Sequence, residues 1–148
     1  MQIDIIETTG LGDRSYLVSD GGVGVVIDPQ RDIDRVTTIL DDEGVTLSAV
    51  FETHIHNDYV TGGLALAERT GAEYFVNAAD EVAYARTPIS DNQEVPVGTS
   101  MVVRALATPG HTFSHLSYAL TAGGEPVAVF TGGSLLYGAT GRPDLLGH

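Results

Sequence analysis

The segment Glu52–Gly63, ETHIHNDYVTGG, places two histidines one residue apart and an aspartate two residues after the second histidine. In an extended segment, side chains two residues apart point to the same side, so His54, His56 and Asp58 can converge on one point. Imidazole suits zinc, iron and similar divalent ions, and a carboxylate adds negative charge. The spacing therefore predicts a metal site, although Tyr59 stands where a further imidazole would suit the metal.

This segment lies on a loop between a predicted strand and a predicted helix. Leu47–Phe51 is a short apolar run of strand type, and a helical pattern follows from about residue 62 to residue 69. A second loop, TPGHTFSH at 108–115, places His111 after a Pro-Gly turn that would hold an imidazole at the rim of a sheet. The alternative is that these are surface histidines without a ligand, which the HxHxD spacing disfavours.

Composition limits the classes of function. The chain has 148 residues, of which 43% are hydrophobic, so it can form one domain, 1–148, with an apolar core. A net charge of −13 disfavours binding to nucleic acid and to anionic membranes. Without cysteine, any metal must be held by nitrogen and oxygen atoms. The sequence shows no signal peptide and no membrane span, so we expect a cytoplasmic protein.

Apolar runs and turn residues along the rest of the chain predict strands with helices between them. Strands are predicted at 2–6, 14–19, 73–76, 100–107, 115–120 and 127–131, with a hairpin turn at 19–22 and helices at 32–43 and about 78–85. This mixture predicts layers of helices and sheets, with the chemistry on loops at the ends of strands.

Four further residues are interpreted one by one. Tyr59 is either a hydroxyl that contacts the substrate or an ordinary half-buried tyrosine, and His115, inside a strand-like run, is interpreted as structural. Asp28 either orients a ligand histidine through its second ring nitrogen or caps a turn. His148 is the last residue, where terminal disorder is the alternative.

Five separated segments carry a resemblance to a known family: SYLV, VVIDP, THIHNDY, TPGHT and FTGGSLLYGATGRPDLLG. In order and spacing they resemble the metallo-β-lactamase superfamily, specifically its persulfide dioxygenase-like (sulfur dioxygenase) branch, over essentially the whole chain. The resemblance implies an α+β fold, the αββα sandwich with its site at one edge, and a relation to glyoxalase II-type thioester hydrolases. In the dioxygenase branch, one non-haem iron oxidises glutathione persulfide to sulfite and glutathione.

Three departures from the family pattern bear on the metal. Tyr59 replaces the last histidine of HxHxDH, and Gly133 replaces the aspartate of the FTGD element. The chain ends at His148, before the further histidine and the closing helices of the family, so the resemblance implies a sandwich shortened at the C-terminus. A second metal would depend on these positions, and we therefore expect a single ion.

The residues that remain imply one iron or zinc ion held by His54, His56 and His111, a three-nitrogen set with water in the fourth place. Asp58 would act as a nearby base or orienting group, and Tyr59 would donate a hydrogen bond to the substrate. Of the two-histidine, one-carboxylate face that suits the dioxygenase iron, only two histidines are present, so the redox interpretation is weaker.

The expected function is a metal-dependent hydrolase or persulfide dioxygenase-like enzyme acting on a small thiol or persulfide, such as a glutathione-type adduct. The alternative is a catalytically silent domain that serves as a binding or docking module, beside a rhodanese-like domain. A shortened sandwich would leave an apolar sheet face uncovered, which predicts a homodimer. We also expect Gly133→Asp to tighten binding of ferrous iron, because glycine should leave room for a carboxylate beside His54 and His111.

Overall fold

The computed structural model describes residues 1–8, 10, 12–56, 60–136 and 138–141. The predictions made for Asp58, Tyr59 and His148 lie outside these residues.

Six strands form the first sheet, and their order in space is their order in the chain. They are β1 (Gln2–Thr8), β2 (Asp13–Asp20), β3 (Val23–Ile27), β4 (Thr46–Phe51), β5 (Glu73–Asn77) and β6 (Thr87–Ile89). The first three strands pair antiparallel, and each pair from β3 to β6 is parallel. The carboxyl ends of β3, β4 and β5 therefore meet at one edge of the sheet, where the polar residues of the site begin.

The hairpin between β2 and β3 is confirmed. Its turn contains Gly21 and Gly22, with φ of 58° and 80°. Two consecutive residues with positive φ are what a tight hairpin requires, and glycine adopts this conformation without steric cost.

Four antiparallel strands form the second sheet, in the order β10-β9-β8-β7. They are β7 (Glu94–Val97), β8 (Met101–Ala107), β9 (Leu116–Ala122) and β10 (Glu125–Phe130). A small hairpin of β11 (Leu135–Leu136) and β12 (Ala139–Thr140) follows the second sheet. The loops after β8 and β10 carry His111 and Gly133.

Two helices pack on the outer face of the first sheet. They are α1 (Asp34–Glu43) and α2 (Gly63–Thr70), and each ends at a glycine in the left-handed conformation, Gly44 and Gly71. Their apolar faces form a buried cluster with the sheet that includes Val26, Val36, Leu40, Val50, Leu66 and Val76. No helix in the described part of the chain is long and apolar enough to cross a membrane.

The second apolar cluster lies between the two sheets. Phe51 stacks on Phe75 with a centroid distance of 4.8 Å, and Tyr118 packs on the Phe51 ring at 5.0 Å. Within the described residues the layers are thus helix, sheet and sheet, which is the predicted αββα sandwich without its second helical layer.

The predicted helix at about 78–85 is wrong. The Asn77 side chain accepts a hydrogen bond from Ala79 N at 2.9 Å, and Arg86 donates to the carbonyl of Asp80 at 2.8 Å, so the segment forms turns and bends. Side-chain bonds of this kind compete with a helix. Tyr84 packs here against Tyr74, with centroids 6.0 Å apart. The short strands β6 and β7 were not predicted from the sequence.

Candidate metal centre

The candidate site forms where strand ends of both sheets meet. The segment after β4 is joined to the second sheet by two buried hydrogen bonds: Leu116 N donates to Thr53 O at 2.8 Å, and the Tyr118 hydroxyl donates to Glu52 O at 2.7 Å. These bonds fix the loop that carries His54 and His56 against the second sheet. His111 reaches the same place from the loop after β8.

The three predicted metal-ligating histidines come together. Nε2 of His54 lies 3.2 Å from Nε2 of His111, and the His54 and His56 ring centroids are 4.1 Å apart. Two nitrogens bound to one tetrahedral zinc at about 2.05 Å would be separated by about 3.3 Å, so the first distance fits a pair of ligands on one ion. The residues present therefore fit a metal.

A chain of hydrogen bonds fixes the orientation of the His54 ring. Asp28, 5% exposed, accepts the Thr53 N–H at 2.7 Å on Oδ1 and the Thr53 hydroxyl at 2.7 Å on Oδ2. The Thr53 oxygen, having donated its proton, accepts from Nδ1 of His54 at 2.9 Å. With its proton on Nδ1, His54 presents the lone pair of Nε2 toward His111.

The His56 ring is oriented by two carboxylates. Its Nε2 lies 3.3 Å from Oδ1 of Asp28 and 3.3 Å from Oε2 of Glu52, and its side chain is 5% exposed. Because these contacts occupy Nε2, a metal bound by His56 would take Nδ1. Asp28 thus contacts both histidines of the loop, His56 directly and His54 through Thr53, which favours the orienting interpretation of Asp28 over a turn cap alone.

Asp28, Glu52 and His56 are themselves a group that could hold an ion, since one ligand atom from each lies within 4.8 Å of the others. The contacts disfavour this use. Asp28 already accepts two hydrogen bonds from Thr53. An ion bound by these three residues would also replace the contacts of His56 Nε2 with the two carboxylates. Their arrangement suits two carboxylates that orient the His56 ring.

The electrostatics separate the histidines into two kinds. Burial lowers the pKa of His54 to about 3 and that of His115 to about 4, so both rings are neutral at pH 7. Burial also disfavours a charge on His56, but hydrogen bonds to Asp28 and Glu52 and their charges raise its pKa to about 10. Burial raises the pKa of Glu52. In the absence of metal, one imidazolium therefore lies between two buried acids.

Gly133 lies directly against the His111 ring. A Cβ atom built on Gly133 would lie 2.4 Å from Cδ2 and 2.5 Å from Nε2 of His111. The expectation that glycine leaves room for an aspartate is therefore wrong, because the imidazole fills that space. The φ of Gly133 lies outside the left-handed region, so the backbone itself would accept another residue.

His115 lies closer to the site than its structural interpretation suggested. Its ring stacks at 5.2 Å on His54, and its Nδ1 lies 2.9 Å from Oγ1 of Thr108. Its Nε2 is buried and has no hydrogen-bond partner among the residues that the structure describes.

Sequence reasoning missed the parts played by Glu52 and Thr53. The available signal was an acid placed directly after a buried strand, because a carboxylate at that point must be paired if the fold buries it.

Comparisons with known proteins identify the family and the fold. The sequence profile of the metallo-beta-lactamase superfamily matches residues 8–148. Hydroxyacylglutathione hydrolase of Acidiphilium cryptum is 35% identical over 106 residues, which are 70% of this chain and 43% of that protein. The chain thus spans less than half the length of this relative.

Two solved structures share the fold at appreciable identity. A metallo-beta-lactamase from Staphylococcus aureus superposes with a TM-score of 0.89 at 30% identity, covering 98% of this chain and 47% of that one. ETHE1 from Myxococcus xanthus superposes with a TM-score of 0.85 at 34% identity, covering 96% of this chain and 61% of that one. The chain belongs to the metallo-beta-lactamase superfamily, as its motifs predicted.

Proposed function

We propose that this chain is the metal-binding part of an enzyme that uses one ion, held by His54, His56 and His111, to act on a small thiol-derived substrate. The observation that carries the proposal is the 3.2 Å separation of the His54 and His111 nitrogens, together with the contacts that occupy Nδ1 of His54 and Nε2 of His56. An ion bound by these two rings would take the other nitrogen of each. Structural histidines need no such arrangement.

The reaction class follows from the ligand set. A bound ion would polarise the substrate and lower the pKa of a water molecule. Three imidazoles are a known zinc set for hydrolysis, whereas a dioxygenase iron prefers two histidines and a carboxylate. Gly133 supplies no carboxylate, so thioester hydrolysis is the leading proposal and persulfide oxidation with iron is the second.

The relatives support a thiol-derived substrate. Hydroxyacylglutathione hydrolase, by its name, cleaves a glutathione thioester. The motifs of this sequence also resemble the persulfide dioxygenase-like branch, whose substrate is a glutathione persulfide. We propose a glutathione-type adduct as the substrate, with Asp58 as a base or orienting group and Tyr59 as a hydrogen-bond donor to it.

The test compares the parent protein with His54→Ala and His111→Ala. We expect near-stoichiometric zinc or iron in the purified parent, and hydrolysis of a hydroxyacylglutathione that both variants lose. Release of sulfite from glutathione persulfide by the iron-loaded parent would instead select the dioxygenase. Equal activity in the parent and both variants would refute the assignment of this site.

A second candidate is a silent docking domain, acting with a rhodanese-like partner. The observation that favours it is Gly133, which removes a carboxylate that the family pattern places at the metal. Elemental analysis of protein purified without chelator separates the two candidates, because a metal content near one ion per chain is not expected of a silent domain.

A further inference from the structure

Glu52 is a buried acid whose carboxylate contacts two hydroxyl groups and one imidazole ring. Its side chain is 1% exposed. Oε1 accepts a hydrogen bond from the Tyr74 hydroxyl at 3.0 Å and another, short one from the Thr61 hydroxyl. Oε2 lies 3.3 Å from Nε2 of His56. Burial of a carboxylate is costly unless it is paired. Here Oε1 has two hydrogen-bond donors, whereas Oε2 has no hydrogen-bond partner among the described residues and is paired by the contact with the His56 ring alone.

The surrounding backbone is shaped to this carboxylate. A Cβ atom on Gly63 would lie 2.3 Å from Oε1 of Glu52 and 2.5 Å from the Tyr74 ring. Thr61, which donates to the same oxygen, is fixed by the first turn of α2, where Gly63 N donates to its Oγ1 at 3.0 Å. Packing alone does not require an acid here, because an apolar side chain would fill the space without a desolvation cost.

The contact that remains to be explained is the one with His56. The ring nitrogen faces two carboxylate oxygens, one from Asp28 and one from Glu52, both at 3.3 Å. One carboxylate is enough to fix the orientation of a ligand histidine. The second carboxylate places a second acid behind the ring, with Oε2 at 3.3 Å from Nε2, in a site that lacks a carboxylate at position 133.

We propose that Glu52 is a positioning residue of the metal centre: with Asp28 it holds the Nε2–H group of His56, directs Nδ1 toward the His54 and His111 nitrogens, and supplies negative charge that Gly133 does not. The inference rests on the proposed function, because it takes the three histidines as the ligands. In this inference Glu52 acts on the ion only through His56, whereas in a metal site at Asp28, Glu52 and His56 it would bind the ion itself.

The first experiment measures zinc affinity by competition with a chromophoric chelator. Glu52→Gln keeps the shape and removes the charge, and we expect an affinity at least tenfold lower than that of the parent. Tyr74→Phe is the matched control, since it removes one hydrogen bond to Glu52 and leaves the charge, and we expect a change below threefold. Glu52→Asp keeps the charge and shortens the side chain, so its affinity should lie between those of the parent and the Gln variant.

Three outcomes would overturn the inference. If the folded Gln variant binds zinc within twofold of the parent, while His54→Ala loses binding, Glu52 is only structural and the proposed function stands. If Glu52→Gln loses zinc but His54→Ala keeps it, the ion lies among Asp28, Glu52 and His56. If the parent binds no zinc or iron, the proposed function fails and the claim about affinity fails with it.

The second experiment needs no metal. The Nε2–H proton of His56 in the metal-free parent should give a downfield, exchange-protected NMR resonance because it lies between two carboxylates. Glu52→Gln should move this resonance upfield, and Tyr74→Phe should leave it nearly unchanged. An identical His56 resonance in the parent and the Gln variant would show that Glu52 does not hold the ring.

Discussion

At the scale of single residues, Thr53 determines how Asp28 acts on His54. Its hydroxyl donates to Asp28 Oδ2 and accepts from His54 Nδ1, at 2.7 and 2.9 Å. Thr53→Val keeps the shape but removes the hydroxyl, so Asp28 Oδ2 and His54 Nδ1 each lose this buried hydrogen-bond partner, while the backbone N–H of residue 53 still donates to Asp28 Oδ1. We expect a loss of about 1–3 kcal/mol in the free energy of unfolding and of about tenfold in zinc affinity. Thr53→Ser, which keeps the hydroxyl, is the control. A Val variant that binds zinc like the Ser variant would show that the hydrogen bonds from Asp28 through Thr53 to His54 do not affect metal binding.

The second prediction for a single residue concerns Gly133 and the space that the His111 ring fills beside it. Any side chain there must displace the His111 ring, because a Cβ atom would lie 2.4 Å from it. We expect Gly133→Ala and Gly133→Asp both to bind zinc more weakly than the parent. We expect the Asp variant to bind ferrous iron more tightly than the Ala variant, since only Asp adds a carboxylate. Anaerobic titration calorimetry measures both affinities, and an Ala variant equal to the parent would show that His111 does not need this space.

At the scale of elements, the first turn of α2 is fitted to the site behind it. Helix propensity alone predicts that Gly63→Ala stabilises the protein by about 1 kcal/mol. The contacts predict the opposite sign, because the new methyl group would lie 2.3 Å from Glu52 and 2.5 Å from Tyr74, and overpacking costs about 1–3 kcal/mol. We expect net destabilisation in urea unfolding. Thr38→Ala on the exposed face of α1 is the control for propensity, and a Gly63→Ala variant more stable than the parent would contradict the packing argument.

At the scale of the whole molecule, the buried histidines set the dependence of stability on pH. The unfolded chain takes up protons as the pH falls through about 6.5, but His54 and His115 resist protonation until about pH 3 and 4. The free energy of unfolding of the metal-free protein should therefore fall by up to about 1.4 kcal/mol per pH unit for each ring, from pH 6.5 down to the pKa of that ring in the folded protein. The stability that protonated His56 contributes is complete below pH 6.5 and is lost as the pH rises toward 10.

Urea unfolding in the presence of chelator, at pH 7, 6 and 5, checks this pH dependence. Below pH 6.5, the slope of the unfolding free energy against pH reports the number of protons taken up on unfolding. We expect His115→Gln to lower that number by about one, whatever its effect on stability at pH 7. An unchanged slope would show that His115 is not a buried neutral imidazole.

The predicted homodimer also belongs to the whole molecule. The outer face of the second sheet exposes Val127 and Val129 on β10, which are 39% and 56% accessible. Within the described residues, both helices lie on the other sheet. We expect a dimer by light scattering at micromolar concentration and a monomer for Val129→Lys. A monodisperse parent monomer would contradict the prediction.

The sequence by itself determined the order of most elements and predicted a metal site. Alternating and helical apolar patterns are local properties, so they indicated most of the strands, both helices and the β2–β3 hairpin. They failed at 78–85, where side-chain hydrogen bonds of Asn77 and Arg86 replace those of a helix. The spacing of His54 and His56 on an extended segment is likewise local, and it indicated a metal.

Only the tertiary structure decided how the site is held. His54 and His111 are 57 positions apart, and Asp28 and Thr53 are 25 apart, so their contacts depend on which strand ends share an edge. Burial of Glu52 behind His56 and the occupation of the space at Gly133 by the His111 ring also arise between elements distant in the chain. No local pattern records these contacts, because packing between layers, not the periodicity of one segment, sets the distances between side chains.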